Sequence, residues 1–251
     1  MFPITYWKAT GFNPLDLNPF IWLDAANGVT ESSGLVSSWA DQSGNGNDFT
    51  QVSGTRQPLL NSSDANFNGL PSITFDGAND VLGNSALLLD NNFSEGVLVI
   101  AFKSNDFSTQ TVFSFSSSTF RKFTMQVQSI SGPFDVIVAW NWVGGGGGGT
   151  YNAIEYNSTP IVYTQKYDGS EITSQARISQ FINGTELTPV GTSATTPTTI
   201  SNTETGVYIG NRDGAGALAL NGEIAEILYF KSLSPANQIR IENYLIDKYA
   251  L

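Results

Sequence analysis

Short runs rich in Val, Ile, Phe, Tyr, Trp and Thr recur about every 10–15 residues, separated by Gly, Asn, Asp and Ser, a spacing that predicts an all-β sandwich. Strands are expected at residues 20–24, 35–40, 72–75, 97–103, 111–116, 122–128, 134–143, 161–167, 176–182, 206–210 and 222–230. Phe123, Met125 and Val127 alternate with Lys122, Thr124, Gln126 and Gln128, as a half-buried strand requires. In the run around 134–143, Val136, Val138, Trp140 and Trp142 fall on one face and Asp135, Ile137, Ala139 and Asn141 on the other. The valine face is expected to be core as far as Trp140. Asn183-Gly184, directly after an apolar run, supplies the positive φ angles of a tight hairpin turn.

One helix is expected, over residues 235–249, with Ser234 as cap and Pro235 at the first helical position. Ile241, Leu245 and Tyr249, with Tyr244 beside them, form a face that can dock on the sandwich. The six glycines at 144–149 and the Thr/Ser/Pro-rich stretch 191–205 read as rim loops.

Composition removes whole classes of chemistry. The chain has 251 residues, a size that all-β sandwiches reach as one unit. It contains neither cysteine nor histidine, so disulfides, thiolate nucleophiles, a Ser-His-Asp triad and His- or Cys-ligated transition metals are excluded. Oxygen ligands remain, and those suit calcium. Eleven basic against 22 acidic side chains give a net charge of −11, which disfavours nucleic acid as a partner. The longest apolar run, 96–102, is a strand and no membrane span, so membrane insertion is not expected. The opening residues lack the basic-then-apolar order of a secretory signal.

Three segments together resemble the concanavalin A-like lectin/glucanase (laminin-G-like) superfamily. They are Phe20-Ile21-Trp22-Leu23-Asp24-Ala25-Ala26 with the following 39–47; 68–80, containing Ser72-Ile73-Thr74-Phe75-Asp76-Gly77; and Gly222-Glu223-Ile224-Ala225-Glu226-Ile227-Leu228-Tyr229-Phe230 with the helix after it. The resemblance implies a jelly-roll β-sandwich of two antiparallel sheets with a short C-terminal helix, covering residues 20–251 after a lead-in or attachment segment at 1–19. The lead-in 13–19 resembles versions of this domain carried by bacteriophage structural proteins. That implies display on a virion surface, alongside other virion proteins and as a homo-oligomer, with an extracellular or cell-surface location as the alternative.

The superfamily holds lectins, glycosidases and adhesion domains, so function must come from sites. Its hydrolases carry Glu-x-Asp-x-x-Glu or Glu-x-Asp-x-Glu on a cleft-facing strand. Here the nearest match is Glu223-Ile224-Ala225-Glu226, where Ala225 replaces the central Asp and an ideal strand sends the two glutamates to opposite faces. Two loops crowd oxygen ligands at short spacing: Asp41, Asn45, Asn47 and Asp48, and Asp76, Asn79 and Asp80. They are candidate calcium sites, and the same residue types also serve turn geometry. Trp142, Tyr151 and Asn141, beside the glycine run, are the candidate sugar platform. The glycine run 144–149 lacks a following Lys-Ser or Lys-Thr, and 210–216 lacks a following helix, so neither is a nucleotide loop. The expected function is non-catalytic binding of a glycan or cell-surface polysaccharide. A structural virion protein using the sandwich for protein contacts is the alternative, followed by a glycoside hydrolase.

Overall fold

The computed structural model describes residues 11–87, 93–106, 108–116, 121–129, 135–141, 150–156, 158–173, 176–189, 191–192, 198–200, 206–212 and 218–251. In chain order the strands begin with β1 (Ile21–Asp24), β2 (Val29–Ser32), β3 (Leu35–Trp39), β4 (Phe49–Thr50), β5 (Leu59–Asp64), β6 (Leu70–Asp76) and β7 (Leu82–Asn84). They continue with β8 (Glu95–Ser104), β9 (Gln110–Ser116), β10 (Arg121–Ser129), β11 (Asp135–Asn141), β12 (Thr150–Tyr156) and β13 (Ile161–Asp168). The last are β14 (Ile178–Ile182), β15 (Thr185–Glu186), β16 (Gly191–Thr192), β17 (Gly206–Ile209) and β18 (Asn221–Phe230), before the helix α1 (Pro235–Tyr249).

Among the described residues every strand pairing is antiparallel, and the pairings resolve into two sheets. In the first, β18 sits between β8 on one edge and β1 and β6 on the other; β5 extends β6, while β13, β14 and β15 extend β8. The second runs β4-β7-β17-β9-β10-β11-β12-β16. β3, paired with β2, β4 and β5, ties the two together at one side. The architecture is a jelly-roll β-sandwich with one C-terminal helix.

The main core fills the space between the sheets. Leu98, Ile100 and Phe102 of β8, Ile224, Ile227 and Tyr229 of β18 and Tyr163 of β13 meet Phe113 and Phe115 of β9, Phe123, Met125 and Val127 of β10, and Val207 and Ile209 of β17. At its centre the Phe115 ring stands 4.9 Å from Tyr229, 5.3 Å from Phe113 and 6.0 Å from Phe123, all edge-on. Gly210, at φ +78°, passes so close beneath Phe75 that a Cβ there would lie 2.2 Å from the ring.

A second core forms on the outer face of the first sheet. The alternate residues of β8, Val97, Val99 and Ala101, join Leu228 and Phe230 of β18 and receive Ile241, Tyr244, Leu245 and Tyr249 of α1. This explains why β8 is an unbroken apolar run: both of its faces are covered. The Ser234 side chain caps α1, Pro235 opens it, and Ala250 in the left-handed region closes it by donating its N–H to Ile246. Phe12 and Leu17 also pack here, Phe12 with its ring 5.6 Å from that of Tyr244. Two residues of the expected lead-in thus lie against the helix. Asn183 and Gly184, at φ 47° and 75°, make the expected hairpin turn between β14 and β15.

Candidate functional site

α1 covers the outer face of the first sheet, and the corresponding face of the second sheet is built differently. Ile137 belongs to the inter-sheet core, so Val136 and Val138 point the other way. Val136 and Val138 are buried, as expected, but on the face of the second sheet turned away from the first. Hydropathy alone does not say which face meets the other sheet, because both faces of β11 are apolar.

On that outer face the partners of the valines are polar: Val138 pairs with Gln126 and Val136 with Gln128. The Gln126 amide donates to the Thr111 hydroxyl at 2.9 Å, and the Ser114 and Thr124 hydroxyls are 3.0 Å apart. All four of these side chains are buried. Cross-strand register carries one continuous line over five strands, Tyr208–Ser114–Thr124–Trp140–Tyr151. At one end the partly exposed Tyr208 ring lies beside Gly83, where a Cβ would approach it to 2.9 Å. At the other, Trp140 pairs with Tyr151 and Asn141 with Thr150.

Tyr151 and Asn141, expected at a sugar platform, thus stand at adjacent register positions on neighbouring strands. Trp142 lies outside the described residues, as does the glycine run 144–149. Sequence reasoning passed over Thr124, Gln126, Ser114 and Tyr208 as members of this face. The signal present was the polar half of the β10 alternation, which looked like an ordinary solvated face.

The two acidic loops are braced by their own carboxylates. Asp41 accepts the backbone N–H groups of Trp22, Ser43 and Asn47 and the Ser43 hydroxyl, at 2.6–3.0 Å, which engages both of its oxygens. Asp48 accepts the Asp41 N–H at 2.8 Å. Asn45 and Asn47 turn their amide N–H groups to the Phe20 carbonyl. Both Asp41 oxygens and one Asp48 oxygen thus already serve the loop's own turn geometry.

In the second loop Asp76 accepts the N–H groups of Ala78 and Asn79, and Asp80 accepts that of Asp76 at 2.9 Å. Burial and the neighbouring Asp76 push the Asp80 carboxyl up to about 6. Among the described residues no cluster of three or more acidic side chains is assembled for a metal.

Glu223 and Glu226 are placed differently from the ideal-strand expectation. A bulge in β18 leaves Ala225 without a partner on β8: Glu223 opposes Lys103 and Glu226 opposes Ala101. Because Lys103 and Ala101 are two apart on β8, the glutamates share the outer face of the first sheet. They still do not form an open carboxyl pair. Glu223 accepts from Asn105 at 2.7 Å and lies 4.0 Å from Lys103.

Glu226 is enclosed under α1. One oxygen accepts Trp22 Nε1 at 2.7 Å and the Tyr244 hydroxyl at 3.3 Å; the other accepts Lys248 Nζ at 2.6 Å and the Tyr249 hydroxyl at 2.8 Å. Lys248 also donates to Asp24 at 3.0 Å. Burial raises the Glu226 carboxyl above the ordinary range, opposed by the ammonium. Burial would lower Lys248, but the Glu226 and Asp24 carboxylates hold it above its usual value.

No protein-family model and no curated protein sequence matches the chain. Solved structures do. An arabinofuranosidase complexed with arabinofuranosyl-α-1,2-xylobiose superposes with a TM-score of 0.59 at 12% identity, over 86% of this chain and 51% of that one. A botulinum neurotoxin type C structure, described as depending on two ganglioside molecules for cell entry, gives 0.56 at 12%, over 93% and 53%. The Trypanosoma rangeli sialidase in complex with sialic acid gives 0.53 at 10%, over 92% and 33%. The chain spans about half or less of each of these proteins. The likeness is one of fold, a β-sandwich shared at very low identity.

Proposed function

We propose that this chain is a carbohydrate-binding module that engages a glycan on the outer face of its second sheet and does not cleave it. The observation that carries this reading is the cross-strand line of aromatic and hydroxyl residues, Tyr208–Ser114–Thr124–Trp140–Tyr151. Aromatic rings offer a flat apolar surface for the C–H face of a pyranose, and their polar tips and neighbouring amides bond its hydroxyls. In this reading the buried Ser114–Thr124 and Gln126–Thr111 pairs hold the strands in register, and contact falls to the Trp140–Tyr151 end; Asn141, on the opposite set of the β11 alternation, is not part of it.

Neighbours of the same fold are described with an arabinosyl-xylobiose, with sialic acid and as ganglioside-dependent, which supports sugars as the ligand class to test first. The separate engagement of Glu223 and Glu226 supports binding without hydrolysis. The inward-turned donors of the Asp41 loop support binding that needs no calcium.

The test is a glycan panel probed with the purified chain and with the Trp140→Ala and Tyr151→Ala variants, in calcium and in chelator. Saturable binding that survives chelation and is lost in both variants is expected. Binding abolished by chelation would move the site to the acidic loops. No binding to any glycan would favour the structural-protein reading, and release of reducing sugar would favour the hydrolase.

A further inference from the structure

The trio beneath α1 has a geometry beyond that of an ion pair. Asp24 and Glu226 stand directly opposite one another on β1 and β18. Like charges so placed repel, and Lys248 reaches between them from the last turn of the helix. All three residues are at most 3% exposed. Aromatic rings enclose them: Lys248 Nζ lies 5.5 Å from the Tyr244 ring centroid and 5.1 Å from that of Tyr249, and Trp22 bonds Glu226.

We propose that Lys248 and Asp24 become joined by an intramolecular isopeptide bond, formed spontaneously in the folded chain with Glu226 carrying the protons. Nζ lies 3.0 Å from Asp24 Oδ2, which holds the amine beside the carboxyl group it would attack and makes the encounter intramolecular. The Ala26 N–H donates to Asp24 Oδ1 at 2.9 Å and the Asn27 amide to Oδ2 at 2.8 Å. Two donors on one carboxyl polarise its carbon and stabilise the charge that builds on oxygen when nitrogen adds. Glu226 Oε2, 2.6 Å from Nζ, is placed to take a proton from the ammonium and free the lone pair. The hydroxyl of Tyr249 and the indole of Trp22 fix its two oxygens.

The bookkeeping closes without a co-reactant. An ammonium and a carboxylate become an amide and a water: the Nζ–Cγ bond forms, the Cγ–Oδ2 bond breaks, and Oδ2 departs with two protons that came from nitrogen, relayed by Glu226. Oδ1 stays as the amide oxygen, still bonded by Ala26. The dry surroundings favour this direction, because a buried ion pair bears a desolvation cost that a hydrogen-bonded amide largely escapes. The bond would fasten the first strand of the sheet to the closing helix, 224 positions away.

The experiment is the intact mass of the purified chain, denatured after prolonged incubation of the folded protein at neutral pH, followed by peptide mapping. A mass one water below the sequence value is expected, with trypsin failing to cut at Lys248 and a branched peptide joining Asp24 to it. Lys248→Arg keeps a cation but lacks the primary amine and is expected at full mass. Asp24→Asn is expected to reach the wild-type final mass, losing ammonia in place of water. Glu226→Gln is expected to stall at full mass while its circular dichroism stays native. A wild-type mass equal to the sequence value overturns the proposal, as does a water loss that persists in Lys248→Arg.

Discussion

Replacing Phe115 with alanine removes the ring at which the two sheets meet. Phe115 rises from β9 of the second sheet and abuts Tyr229 of the first at 4.9 Å, with Phe113 and Phe123 beside it; its exposure is 0%. A buried Phe→Ala change costs about 3–5 kcal/mol through lost transfer energy and the cavity left behind. Each edge-on ring contact adds roughly 0.5–1.5 kcal/mol, not additively, so the upper half of that range is expected, near 4–5 kcal/mol. In urea, with a slope of about 3 kcal/mol per molar for a chain of this size, the midpoint should fall by roughly 1.5 M at unchanged slope. A double-mutant cycle with Tyr229→Leu should return a coupling of about 1 kcal/mol. A midpoint that moves by less than about 0.3 M would refute the assignment of Phe115 to the junction of the sheets.

Gly210→Ala brings a Cβ to 2.2 Å from Phe75 at a φ of +78°, and should cost about 2–4 kcal/mol from left-handed strain plus overpacking, read in the same denaturant titration. Asp80 has its carboxyl raised in the folded chain to about 6 from 3.8, so the folded state binds this proton more tightly than the unfolded one. Its contribution to stability is therefore lost as pH rises between about 4 and 6. Asp80→Asn should gain thermal stability relative to the wild type between pH 4 and pH 7, and a melting-temperature difference flat across that window would contradict this. Ser234→Ala removes the oxygen that accepts the Asn237 N–H at 3.3 Å and should lower stability by about 1 kcal/mol, visible as a shift of roughly 2–4 °C in calorimetry.

The parts of this fold that sequence made legible are those whose causes are local. Alternation placed Phe123, Met125 and Val127 in the core, Asn183-Gly184 announced its hairpin, and Ser234-Pro235 announced the start of the helix whose Ile241, Leu245 and Tyr249 do dock. The two-residue strands β4, β15 and β16 are too short to leave a periodic trace. The bulge at Ala225 was illegible because hydropathy reports which residues are apolar and not which one lies out of register. That single extra residue moves Glu226 to the face it occupies. The meeting of Asp24, Glu226 and Lys248 had no local signal at all, since sheet pairing and helix docking bring the three together. For the candidate site, residue types alone pointed to Tyr151 and Asn141, but the line that joins Tyr151 through Trp140 to Thr124, Ser114 and Tyr208 exists only once strand order is known.

The contact of Phe12 with Tyr244, and of Arg240 with Phe12 at 5.0 Å from its ring centroid, fixes an orientation for anyone handling this molecule. The first described segment and the last helix share one side of the sandwich, the side opposite the aromatic and hydroxyl line. A linker, dye or sensor-chip anchor joined at either place would leave the second sheet pointing away from the support, whereas coupling through the second sheet would press the proposed glycan-binding side against it.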